Sequence, residues 1–121
     1  MRRSLAAAAF VLVTLALATA CGDEETPSGS GSSDPKVIKV TFDGDSVTPN
    51  GERIEVSTGQ DIQLDITADV AGEIHVHSSP EQELEYPAGE STQTITGIDQ
   101  PGTVDVESHH LDKVIVQLEV R

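Results

Sequence analysis

Residues 61–67 read Asp61-Ile62-Gln63-Leu64-Asp65-Ile66-Thr67, with Ile62, Leu64 and Ile66 alternating with Gln63, Asp65 and Thr67. A period of two sends the two sets to opposite faces of a strand, so this stretch predicts a half-buried β-strand. Working outward, the same signature recurs. Val37 to Phe42, Arg53 to Val56, Ile74 to His77, Thr103 to Glu107 and Val114 to Val120 are short, rich in β-branched residues, and alternating or apolar. Between them lie turn residues: Asp43-Gly44-Asp45, Pro49-Asn50-Gly51, Thr58-Gly59, Ala71-Gly72, Pro87-Ala88-Gly89 and Pro101-Gly102. No stretch of ten residues carries the spacing of an amphipathic helix. With a short piece around Leu84 to Tyr86 and a weak alternation over Ser91 to Thr96, seven or eight short strands with frequent turns predict an all-β domain, an antiparallel Greek-key β-sandwich.

Composition narrows the function. The chain has 121 residues, with 21 Asp and Glu against seven Lys and Arg. It holds one Cys, Cys21, one Met, Met1, and no Trp. An acidic chain of this kind repels phosphate backbones, so nucleic acid is excluded as a partner. A disulfide framework and a cysteine-ligated zinc site are excluded within the domain. The serines lack the context of a nucleophile elbow and no catalytic triad is visible, so the chain is not expected to be an enzyme.

The first 20 residues differ from the rest. Arg2 and Arg3 form a basic start, and Leu5 to Ala18 is an apolar run too short to span a bilayer comfortably. Leu17-Ala18-Thr19-Ala20-Cys21 resembles the lipobox of bacterial lipoproteins, which implies a signal peptide over 1–20 and lipidation of Cys21. Residues 22–35, GDEETPSGSGSSDP, contain no large apolar side chain and read as a disordered Gly/Ser/acidic tether. Such a chain spans roughly 20 Å. The expected layout is therefore signal 1–20, lipidated Cys and tether 21–35, and one domain over 36–121. The expected address is the extracytoplasmic face of the cell membrane, held through the N-terminal lipid on Cys21.

The order of features across 36–121 resembles the cupredoxin-like fold. Phe42 ending a strand, the turn at Pro49, and the run Ile54-Glu55-Val56-Ser57-Thr58-Gly59-Gln60-Asp61-Ile62-Gln63-Leu64 resemble the family's opening. Ala71-Gly72-Glu73-Ile74-His75 is similar to the segment that carries a first copper-binding histidine, and Pro101-Gly102-Thr103-Val104-Asp105-Val106 to the strand entering the metal loop. The resemblance implies a copper site of two His, one Cys and often an axial Met. Here Ser108 falls where the Cys would stand and Leu111 where the second His would stand, and no Met follows. Type 1 copper electron transfer is therefore not expected.

Four histidines remain, all in the domain: His75, His77, His109 and His110. Residues two apart on a strand share a face, so His75 and His77 project together, about 6–7 Å apart. His109 and His110 lie where the resemblance places the remaining ligands, although adjacent residues on a regular strand cannot both enter one site. Convergence of the two clusters, with Glu73 or Glu107, would suit Cu(II) or Zn(II). Two expectations follow. One is a metal site built on the four histidines, with copper or zinc as the ion. The other is a metal-free structural or protein-interaction module with a degenerate cupredoxin site. Glu81, Glu83 and Glu85 read as a solvated strand edge that discourages edge pairing.

Overall fold

The computed structural model describes residues 34–121. The expected signal peptide, Cys21 and nearly all of the expected tether lie outside the described residues. Nine strands form among those described: β1 (Lys36–Asp43), β2 (Ser46–Thr48), β3 (Glu52–Val56), β4 (Ile62–Ala68), β5 (Gly72–Val76), β6 (Gln82–Tyr86), β7 (Gly89–Ile95), β8 (Gly102–Ser108) and β9 (Lys113–Val120). They build two sheets, one in the order β2-β1-β4-β7 and the other β3-β9-β8-β5-β6.

The alternation that predicts β4 governs its packing. Ile62, Leu64 and Ile66 are essentially inaccessible, while Gln63 and Asp65 between them are half-buried on the outer face. Ile74, Val76, Val106, Ile115 and Leu118 of the second sheet close the same core. Removing one such side chain, as in Leu64→Ala, costs about 2–5 kcal/mol through lost transfer energy and the cavity left behind. The two aromatic side chains of the domain, Phe42 and Tyr86, stack at one end of the core with ring centroids 4.8 Å apart.

The sandwich is as expected, but its strands are not all antiparallel. β1 runs parallel to β4, with Ile38 opposite Leu64, and β3 runs parallel to β9, with Ile54 opposite Leu118. The physical reason is connectivity. The chain leaves β1 and β2, crosses to the other sheet for β3, and returns for β4. A strand re-entering after a crossover can lie parallel to its neighbour, which a direct hairpin forbids.

Two details set up the functional face. β5 sits between β8 and the edge strand β6, so its outer face is flanked on both sides. A register shift at Val106/Glu107 marks a bulge in the β8–β9 pairing, and bulges bend a strand and re-aim its side chains.

Candidate metal site

β5 divides its residues by face. Ile74 and Val76 are buried in the core, leaving Glu73 and His75 outside and half-buried. Pairing then surrounds His75 with carboxylates. Glu83 of β6 stands opposite it on one side and Glu107 of β8 on the other, while Glu85 stands opposite Glu73.

The His75 ring uses both nitrogens. Nε2 meets the Glu73 carboxylate in a short contact, and Nδ1 lies 3.4 Å from Glu81 Oε1. The Glu73 hydrogen bond raises the His75 pKa above its ordinary value. Partial burial opposes this, and the charges of Glu73, Glu83 and Glu81 reinforce it. His109 follows β8 and is pinned by its backbone N–H, which donates to the Glu73 carbonyl at 3.0 Å. Its ring stacks on His75, centroids 4.7 Å apart and planes 9° from parallel.

One ligand atom from each of Glu73, His75 and His109 lies within 4.8 Å of the others, and so does one from each of His75, Glu81 and Glu83. His77 and His110 fall outside both groups. His77 sits 6.4 Å from His75, centroid to centroid, and is engaged with Glu107, Nε2 to Oε2 at 2.6 Å. His110 turns the other way, its ring 6.3 Å from that of Phe42. The same-face relation of His75 and His77 holds, and the adjacent pair divides as the geometry of neighbouring residues requires. Sequence reasoning missed Glu81 and Glu83 as neighbours of His75. The signal was the β5–β6 hairpin, whose register sets Glu83 across from His75.

The end of the sandwich beneath His110 is different in kind. A Cβ placed on Gly72 would lie 2.3 Å from the Tyr86 hydroxyl and 3.1 Å from His110 Cε1, so only glycine fits there. The Tyr86 hydroxyl is buried without a hydrogen-bond partner, and burial, with the Asp69 charge, raises its pKa. Asp69 accepts the Gly44 N–H at 2.7 Å. That bond lowers its pKa against a partial desolvation, with help from the Val70 N–H and the nearby His110. Ser108 points inward, 1% exposed, and its Oγ accepts the Leu111 N–H at 3.4 Å. A buried serine hydroxyl capping a turn is no substitute for a thiolate, and no Met or Cys occurs among the described residues. The residues present do not fit a type 1 copper centre. A cleft of about 420 Å³ lined by Gly72, Glu73, Glu85, Tyr86, His109 and His110 runs from the Glu73–His109 side to this end.

Comparison with known proteins bears on the fold. No family model and no curated protein matches the sequence. Solved structures do match. A reduced variant of amicyanin superposes with a TM-score of 0.52 at 10% identity, over 77% of this chain and 87% of that one.

The fold is cupredoxin-like.

A purple cupredoxin from Nitrosopumilus maritimus matches at TM-score 0.50 and 12% identity, over 71% of this chain and 99% of its own. The blue copper oxidase from Nitrosomonas europaea matches at 0.52 and 16%, over 73% of this chain but 44% of the oxidase. The chain thus spans less than half the length of that oxidase. At these identities the likeness extends to the fold alone.

Proposed function

We propose that the protein is an envelope lipoprotein, anchored through Cys21, whose cupredoxin-like domain binds Cu(II) or Zn(II) and is neither an enzyme nor a type 1 electron carrier. The observation that supports it is the Glu73–His75–His109 group, with three ligand atoms within 4.8 Å on a half-open face. Two imidazoles and a carboxylate match the borderline ions rather than Mg or Ca. β5 sets His75 and Glu73 on one face, and an ion taking Nε2 replaces the proton of the hydrogen bond between Nε2 and Glu73. His109 must rotate, because parallel stacked rings do not aim in-plane lone pairs at one point. Its side chain is exposed and free to do so.

Ion binding is tested by equilibrium titration of the full-length protein with Cu(II) and Zn(II). The reading expects submicromolar affinity that is lost in His75→Ala. Binding unaffected by His75→Ala contradicts it. A second reading, a metal-free interaction module, is favoured by Ser108 and by the closed packing at Gly72 and Tyr86. Absence of any tight ion supports that reading. Anchoring is tested separately: Cys21→Ala should move the protein from membranes to the soluble fraction, and retention on membranes at high salt overturns the anchor.

A further inference from the structure

His75 stands between two ligand groups, one on each side of its ring. Nε2 faces Glu73, the partner of His109 in the first group, and Nδ1 faces Glu81, the partner of Glu83 in the second. The two lone-pair directions of an imidazole point away from each other, so a single ion cannot take both nitrogens. Either the groups exclude one another or they share the ring.

We propose that His75 bridges two divalent transition ions as an imidazolate, one held with Glu73 and His109 and the other with Glu81 and Glu83. The inference rests on the metal-binding reading above and extends it to a second ion.

Charge favours sharing. Two divalent ions bring four positive charges. Glu73, Glu81, Glu83 and the imidazolate bring four negative ones, so the assembled centre is neutral. Glu107 flanks His75 from β8 and adds negative potential, although His77 is its partner. Position favours it too. Glu83 is fixed opposite His75 by the hairpin register, and Glu81 lies just before the edge strand. Exposed carboxylates alone would be unremarkable. An imidazole nitrogen directed at each group is what distinguishes this face.

The chemistry balances without a redox step. The first ion takes Nε2: the hydrogen bond from Nε2 to Glu73 breaks, the Nε2 proton is lost to solvent or passes to Nδ1, and the neutral ring keeps its one proton on Nδ1. The second ion replaces that proton: the Nδ1–H bond breaks, an Nδ1–metal bond forms, and the proton passes to solvent. The two ions differ in surroundings, with two nitrogens and one carboxylate at the first and one nitrogen and two carboxylates at the second. The first therefore fills first with Cu(II).

The test is electron paramagnetic resonance of the full-length protein titrated with Cu(II) chloride at mildly alkaline pH. One equivalent should give a mononuclear signal. The second should lower the integrated intensity per copper, because two spins joined through one imidazolate couple antiferromagnetically. Glu81→Gln/Glu83→Gln should abolish the second equivalent and leave the first signal intact. Intensity rising to two independent spins overturns the bridge while preserving the first site, and saturation at one equivalent does the same. Absence of any bound equivalent overturns the metal-binding reading and the bridge with it.

Discussion

The outer face of β5 and the sandwich end at Tyr86 receive one histidine each from the same dipeptide, yet they do opposite things with it. On the outer face His109 meets Glu73 and His75 in a half-open setting, where charge is solvated and side chains can turn. At the end, His110 lies over a floor of stacked aromatic rings with no space for one added methyl group at Gly72. The family resemblance directs attention to the end of the sandwich. The available chemistry is on the face. The number of donors explains the difference: the end offers His110 and Asp69 beside a packed aromatic pair, whereas β5 and the edge strand β6 set several carboxylates at regular spacing around His75.

The contrast can be broken at its largest effect by comparing two histidines. His75→Ala should weaken Cu(II) binding by at least a hundredfold, about 2.7 kcal/mol. His110→Ala should change it less than threefold. Isothermal titration of both variants checks this, and equal losses would merge the two regions into one site.

The packing side comes next. Gly72→Ala should lower stability by about 1–3 kcal/mol, because the new Cβ overlaps the Tyr86 hydroxyl. Tyr86→Phe removes a buried hydroxyl that has no partner. It should stabilise the domain by about 1 kcal/mol and partly rescue Gly72→Ala. Denaturant melts of the single and double variants read this directly. A destabilised Tyr86→Phe would show that the hydroxyl is bonded after all.

A smaller effect is carried by pH. The folded state raises the His75 pKa, chiefly through Glu73. The charged pair therefore contributes stability fully below the ordinary histidine value near 6.5, and that contribution fades as pH rises through the raised value. Metal-free wild type should exceed His75→Ala in melting temperature by more at about pH 5.5 than at about pH 8.5. Protons and ion compete for Nε2, so stabilisation by Cu(II) should run the opposite way, clear at about pH 7.5 and mostly gone by about pH 5.5. Parallel slopes in wild type and variant would remove Glu73–His75 from the account.

Legibility in the sequence followed the range of the interactions. The face of each strand was readable because alternation is local: Ile62, Leu64 and Ile66 went inward as written. Strand direction was not, because Ile38 meets Leu64 and Ile54 meets Leu118 only through crossovers that periodicity does not encode. His75 was readable from its place on a strand. Its pairing with Glu81 and Glu83 depended on how the chain between Val76 and Gln82 turned, so those carboxylates read only as a solvated edge. The split of His109 from His110 was foreseeable in kind. Which one would face outward depended on the His109 N–H reaching the Glu73 carbonyl, a contact across 36 positions of chain.

The central claim, that an ion is held on the outer face of β5 and not at the sandwich end, is tested most directly by paramagnetic broadening. Substoichiometric Cu(II) is added to the isotopically labelled full-length protein and amide resonances are followed. Glu73, His75, Glu83 and His109 should broaden first, while Phe42, Asp69 and the β7 amides stay sharp. Broadening centred on Phe42, Asp69 and His110, or spread evenly over the acidic surface, would contradict it.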